Sequence, residues 1–250
     1  MERSFATLGV TFCRADLNRA AGLVIAGRGD RPLQVCLANV HSVVQSRGDE
    51  EFRAILNDSL TLADGMPIVW TSRLRGEPLP CRVSGPDLFA EVMRRTIDGR
   101  TGHLLFGGDE GVAQEMAARV ARGFPGVRIC GAITPPFGAE FDAREGELVA
   151  RINDAGADIL WLGVSSPRQD KFIRRNLPRL RVRSAVGIGA AFNFFAGRVK
   201  RAPGVLQRSG LEWAWRLTQE PGRLWRRYLL EDARFPLLVA IEAVKGPRKR

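Results

Sequence analysis

Short apolar runs of strand length recur along the first 190 residues, and a polar or glycine-rich cluster follows each one. The runs fall at residues 33–37, 104–106, 127–130, 159–162 and 185–188. They are too short for buried helices and are rich in Val, Ile and Leu, so they read as strands. Between them, residues 50–60, 87–97, 111–122, 144–155 and 168–177 carry apolar side chains at three- and four-residue spacing, the stripe of a helix that packs one face. Strands alternating with helices in this way require a parallel sheet covered on both faces. The predicted fold class is therefore α/β, Rossmann-like. No internal repeat interrupts it. In such a sheet a ligand sits beyond the carboxyl ends of the strands, which directs attention to the residues that follow each run.

Those residues are polar or small. Asn39 follows the first run, the segment 61–63 leads into Asp64 and Gly65, and the run at 104–106 enters Gly107, Gly108 and Asp109. The run at 159–162 enters Gly163-Val164-Ser165-Ser166-Pro167-Arg168-Gln169, and the last enters Gly187-Ile188-Gly189-Ala190-Ala191-Phe192-Asn193. Gathered at one sheet edge, such clusters present backbone amides and helix N-termini suited to a diphosphate. Each has an ordinary reading by itself. Gly107-Gly108 suits a tight turn, Ser165-Ser166-Pro167 a helix start, and Asp64-Gly65 a turn. Their placement after consecutive strands is what favours a site. Gly107-Gly108 lacks the spacing of the dinucleotide fingerprint, which weighs against a nicotinamide-dependent oxidoreductase. No two aspartates stand two positions apart, so the carboxylate pair that many sugar transferases use to hold a metal on a diphosphate is missing. Cationic side chains must then meet the diphosphate.

The chain carries a formal net charge of +11, and its basic excess lies at one end. Residues 198–250 hold thirteen Lys or Arg against five acids, a net of +8, whereas residues 1–197 reach only +3. This end also holds Trp213, Trp215 and Trp225 and the only tyrosine, Tyr228. It reads as helices broken at Pro203, Pro221 and Pro236. Two parts are predicted: an α/β core over 1–197 that carries the strand-end clusters, and a basic helical appendage over 198–250 that supplies cations to a diphosphate and touches membrane. Arginine dominates, and its planar fork suits phosphate. The charge implies an anionic partner, either ligand phosphate, an acidic membrane surface or nucleic acid. A nucleic-acid module would leave the strand-end clusters idle, so no nucleic-acid partner is expected. The tryptophans fit membrane contact or packing of the appendage onto the core. Four scattered cysteines without a CxxC pair, with only His41 and His103, point to buried free thiols rather than a zinc site, and no metal and no cofactor are expected. The N-terminus carries no signal-peptide pattern, and no apolar run approaches the ~20 residues of a membrane span. The expected location is cytoplasmic, peripheral on the inner face of the cell membrane.

Four segments carry a resemblance. They are Leu62-Ala63-Asp64-Gly65-Met66-Pro67-Ile68-Val69-Trp70; Arg82-Val83-Ser84-Gly85-Pro86-Asp87-Leu88-Phe89; the stretch from Gly187 to Lys200-Arg201-Ala202-Pro203; and Gly210-Leu211-Glu212-Trp213 through Arg216-Leu217, Glu220-Pro221 and Arg223 to Leu229. In order and separation, over about 35–235, they resemble the WecG/TagA/CpsF family, glycosyltransferase family 26. The resemblance implies an inverting, metal-independent transferase. Its donor would be a UDP-sugar, and its acceptor a polyprenyl-diphosphate-linked saccharide of the undecaprenyl type. Such enzymes serve exopolysaccharide, capsule, teichoic acid or antigen assembly. It implies that Asp64 is catalytic and that Asn39, Gln169 and Asn193 bind substrate. Tail arginines at Arg216, Arg223, Arg226 and Arg227 would complete the site. Ser84, Gly85 and Asp87 of the second motif, with Gly107, Gly108 and Gly189 from the strand ends, join the candidate binding set. Two positions depart from the family: Asn193 stands where Asp is usual, and Ser165 where Gly is usual. A neutral amide can hold a ribose or base by hydrogen bonds but cannot serve as a base, which leaves Asp64 in that role. The transferred sugar, the acceptor glycan and the oligomeric state, homo-oligomer included, stay open.

Overall fold

A computed structural model describes residues 4–29 and 31–245. Six parallel strands form the central sheet. In chain order they are β3 (Leu33–Ala38), β4 (Leu60–Ala63), β5 (Gly102–Gly107), β6 (Arg128–Ile133), β7 (Ile159–Gly163) and β8 (Ser184–Gly187), and in space they run β4-β3-β8-β7-β5-β6. Strands β1 (Ser4–Thr7) and β2 (Val10–Cys13) form a separate antiparallel hairpin. Every residue of β5 is buried, as are the first four of β7, because helices cover both faces. A strand wet on one side would alternate; these do not.

The helices start where polar side chains satisfy free amide groups. Asp16 accepts from the Arg19 amide at 2.8 Å to open α1 (Leu17–Ala26), and Asp49 accepts from the Phe52 amide at 3.0 Å to open α3 (Glu50–Asp58). Asn39 opens α2 (Val40–Ser46), accepting from the Ser42 amide at 3.1 Å. Such caps contribute about 1 kcal/mol each. Helix α4 (Met66–Leu74) follows β4, and α5 (Gly85–Arg95) buries Leu88, Phe89, Val92 and Met93, each contributing about 1.5–3 kcal/mol by leaving water. The Phe89 ring meets Trp161 of β7 edge-on at 4.9 Å. Trp161 donates to His103 Nδ1 at 3.1 Å, and the other imidazole nitrogen lies 2.9 Å from the Thr96 hydroxyl. Burial holds His103 neutral, lowering it to about 4. Helices α6 (Val112–Gly123), α7 (Ala139–Ala143), α8 (Glu145–Asp154), α9 (Arg168–Asn176) and α10 (Ala191–Phe195) complete the core.

The expected strands and helices are present with shifted ends. The helix expected over 50–60 stops at Asp58, because Thr61 turns back to donate to the Leu56 carbonyl and Leu60 already pairs with β3. The hairpin β1–β2 and helices α1, α2, α4, α7 and α10 are additions to the predicted set. Cys36 is buried as expected, whereas Cys13, Cys81 and Cys130 are half-buried; none of the four is in a disulfide.

Beyond Gly197 the chain forms α11 (Gly204–Arg208), α12 (Glu212–Gln219) and α13 (Pro221–Arg226), a π-helical turn (Arg227–Glu231), a 3-10 turn (Asp232–Arg234) and α14 (Phe235–Lys245). Residues 246–250 of the expected appendage lie outside the described residues. A new helix begins at each of the three prolines, Pro203 capping α11, Pro221 opening α13 and Pro236 standing in the first turn of α14, where a residue has no intrahelical partner for an N–H. The tail returns to the N-terminus. Phe235 enters the same core as Phe5 and Phe12, and Glu242 accepts from the Leu8 amide at 2.8 Å while pairing with Arg75 at 2.7 Å. Among the described residues no helix is long and apolar enough to cross a membrane.

Candidate active site

A cleft of about 980 Å³ opens at the carboxyl edge of the sheet, between the strand ends and the tail. Its location follows from topology. After β3 the chain goes on through α2 and α3 to β4, whereas after neighbouring β8 it leaves the sheet for α10 and the tail, so the loops leaving these strands part and leave a crevice.

Asp64 stands one residue past β4. Its amide donates to the Ala38 carbonyl at 2.9 Å, extending the ladder to β3. The Val83 amide donates to Ala63 at 2.9 Å and so carries Arg82 to the same strand end. The carboxyl is half-buried, open to the cleft and otherwise enclosed by protein. Burial pushes it up to about 7; Arg82 and Arg216 pull it down, while Glu212 and Asp87 push it further up. The guanidiniums fail to win because they are shared. Arg82 is already paired with Glu212 at 2.6 Å and lies 3.8 Å from Asp87.

Ser84 is the cap of α5. Its hydroxyl donates to Asp87 Oδ2 at 2.5 Å and accepts from the Asp87 amide at 3.4 Å. Asp87 pairs with Arg201 at 2.7 Å. Burial would raise this carboxyl, but the hydrogen bonds from Arg201 and Ser84 and the nearby charges hold it below the usual range. Ser84 lines the cleft; Asp87 does not, and its bonds are those of a helix start.

Gln169, on the first turn of α9, is buried and lies flat over β8. A Cβ on Gly187 would come within 2.5 Å of its amide nitrogen, so only glycine admits that side chain. Both Gln169 Oε1 and Asn193 Oδ1 are buried without a hydrogen-bond partner. Buried amide oxygens are rarely left so, and these two face a ligand-sized space. Beneath them, burial raises Asp170 to about 6 although the Ser166 hydroxyl donates to it at 2.6 Å. Ser165, where glycine is usual in the resembled family, has φ of 73°, the left-handed region that favours glycine.

The tail supplies the opposite wall. Arg216 lies over the Phe194 ring at 5.7 Å, and Arg227 donates to Asn39 Oδ1 at 3.4 Å. The Nε atoms of Arg216 and Arg227 are buried and make no hydrogen bond. Arg226 lines the cleft over the neighbouring Trp225 ring at 5.9 Å. Trp213 and Tyr228 meet edge-on at 5.9 Å along the same wall, while Trp215 donates to the Lys200 carbonyl at 3.2 Å and packs the tail onto itself.

Of the candidate residues, the cleft brings together Asp64, Asn39, Ser84, Gly108, Gln169, Gly189, Asn193, Arg216, Arg226 and Arg227. Gly85, Asp87 and Gly107 are not among its lining residues. Gly85 packs against Leu37, and Gly107 crosses Gly163 so closely that a Cβ would come within 2.6 Å of it. The Arg223 side chain lies outside the described residues. Among the lining residues that escaped nomination are Arg82, Glu212, His41 and Asp232. Arg82 and Glu212 stand inside quoted motifs, and His41 is one of two histidines, so the signals were present without a partner to interpret them. No group of three or more His, Cys, Asp or Glu side chains that could hold a metal gathers among the described residues.

Comparison with known proteins agrees with this architecture. The chain is 31% identical over 196 residues to an N-acetylglucosaminyldiphosphoundecaprenol N-acetyl-beta-D-mannosaminyltransferase of Bacillus spizizenii, covering 78% of this chain and 74% of that protein. The Bacillus subtilis protein of the same name is 30% identical over 183 residues, covering 72% of this chain and 69% of its own length. Residues 5–249 match the description "Glycosyl transferase WecG/TagA/CpsF family", and the chain belongs to that family.

Proposed function

We propose that this protein transfers a sugar from a UDP-sugar to a hydroxyl of an undecaprenyl-diphosphate-linked saccharide, with inversion and without a divalent metal. The observation that carries this reading is the pairing of a carboxyl raised to about 7 with a wall of arginines across one cleft. Near neutral pH Asp64 is close to half ionised, which suits a group that must take a proton in the transition state. The acceptor oxygen attacks the anomeric carbon while its proton passes to Asp64. The bond from that carbon to the donor phosphate oxygen breaks, and its electron pair leaves on UDP. Arg216, Arg226 and Arg227 neutralise the charge that develops there. The orphaned oxygens of Gln169 and Asn193 accept hydrogen bonds from the nucleoside or sugar. The names of the two Bacillus relatives support a lipid-diphosphate acceptor.

In this reading residues 1–197 bind the donor and residues 198–250 close the site and rest on the inner face of the membrane. Trp225 and Leu230 are about half exposed, and Leu237 is more so, on a segment rich in arginine; such a surface suits anionic lipid.

The test is release of UDP from a panel of UDP-sugars in the presence of a short-chain lipid-diphosphate saccharide, with and without EDTA. Turnover with one donor, unchanged by EDTA, is expected. Strict dependence on added Mg²⁺ or Mn²⁺ would remove the arginines from their role. Thermal stabilisation by NAD or DNA but not by UDP would replace the reading with an oxidoreductase or a nucleic-acid module.

A further inference from the structure

His41 sits in the first turn of α2, two residues after the cap Asn39, and faces the tail across the mouth of the cleft. Its Nδ1 lies 3.0 Å from Asp232 Oδ1 and 3.5 Å from Glu231 Oε2. A carboxylate can only accept, so the hydrogen is on Nδ1 and points at the tail. The other Asp232 oxygen lies 3.7 Å from Arg227 Nε. Arg227 also donates to Asn39 Oδ1 at 3.4 Å and lies against the Tyr228 ring at 5.5 Å. The guanidinium is thus held by the tail's own carboxylate, by the cap of α2 and by an aromatic face. Its Nε lacks a hydrogen bond and its neighbours line the cleft. Arg227 opens the π-helical turn, an irregularity often found at functional sites.

The chain of contacts runs from α2 through His41 and Asp232 to Arg227 and back to Asn39, joining segments about 190 positions apart. We propose that His41 and Asp232 form a latch that docks the tail on the cleft rim and holds the Arg227 guanidinium ready for a diphosphate. This makes both positioning residues. An arginine loses much rotamer freedom when it is fixed, and a latch that fixes it beforehand removes that cost from ligand binding. The inference rests on the reading of Arg227 as a diphosphate clamp.

The experiment uses full-length His41→Ala, Asp232→Asn, Arg227→Ala and the double variant His41→Ala/Arg227→Ala. It reads UDP affinity, turnover on a soluble acceptor, and amide hydrogen exchange over residues 227–234. His41→Ala and Asp232→Asn should each cut turnover or UDP affinity about tenfold and speed exchange in that segment. In the Arg227→Ala background His41→Ala should add less than about twofold, because residues acting through one another are not additive. His41→Asn, whose amide nitrogen can stand near Nδ1, should recover most of the loss. If Arg227→Ala is impaired but the His41 effect persists in full on top of it, His41 acts independently and the latch is overturned. Unchanged exchange in both His41→Ala and Asp232→Asn overturns it as well. If Arg227→Ala binds UDP and turns over as wild type does, the clamp reading falls, and the positioning role with it.

Discussion

The strand-end wall of the cleft is buried on nearly every side, whereas the tail wall is made of half-exposed helices. Asp64, Gln169 and Asn193 follow strands whose side chains are sealed in the core. Across residues 198–245 only Ala202, Leu224 and Phe235 are buried apolar side chains among those described. The difference matches the chemistry asked of each wall. The Asp64 carboxyl becomes a base near neutrality chiefly because protein withholds water from its charged form. A guanidinium keeps its charge in any surroundings and needs no burial. The proton acceptor therefore belongs on the rigid sheet, and the cations can ride on a segment that opens at lower free energy.

The sharpest way to break this division is Asp64→Asn. Turnover should fall about 10²–10⁴-fold with UDP affinity nearly unchanged. Stability should move the other way. The folded pKa of Asp64 lies above its unfolded value, so its favourable contribution is complete below about pH 4 and is lost as pH rises through about 7. The asparagine variant should then be more stable by about 2 kcal/mol at pH 8, discounted for the carboxyl's opening to water, and no more stable at pH 4. Denaturant melts at both pH values would read this; equal stability at pH 8 would mean the carboxyl carries no burial cost.

On the tail wall, Arg216→Ala and Arg226→Ala should each lower turnover about 10–100-fold on a soluble acceptor, the value of one or two charge-assisted hydrogen bonds. Because these helices bury little, melting temperatures should hardly move, and a fall in stability matching the loss of turnover would make the tail a structural element. Trp225→Ala should weaken binding to anionic vesicles while sparing turnover on the soluble acceptor. Deleting residues 198–250 is a blunter tool, since it also strips Phe235 from the core shared with Phe5 and Phe12 and Glu242 from the Leu8 amide.

A smaller effect belongs to the loop between the walls. Ser165→Gly should stabilise the protein by about 0.5–1 kcal/mol by relieving the left-handed φ, the gain being reduced by glycine's freedom when unfolded. A lower denaturant midpoint would show that the serine side chain contributes more than its backbone costs.

Most of the sheet was legible because strands buried on both faces read as unbroken apolar runs, as in residues 159–162. The hairpin was not. Its two four-residue strands are held by distant partners: Asn57 bonds Thr11 and Gly9, and Glu242 bonds Thr7 and Leu8. Asp64, Gln169 and Asn193 could be nominated because they follow strands. Ser84 and Asp87, nominated from a motif of the resembled family, show a different limit, since a helix cap and a ligand-binding pair use the same residue types at the same spacing. Arg82 with Glu212 and His41 with Asp232 are 130 and 191 positions apart, and an ion pair of that separation leaves no local pattern.

The central claim, that Asp64 accepts the acceptor proton from a half-buried and upshifted state, is tested most directly by the pH dependence of turnover at saturating donor. Wild-type turnover should be low at pH 5, rise about tenfold per pH unit, and level off above a single apparent pKa near 7, as the carboxyl ionises. The residual activity of Asp64→Asn should lack that inflection. A wild-type profile flat between about pH 5.5 and 8.5, or the same inflection surviving in Asp64→Asn, would place the proton acceptor elsewhere.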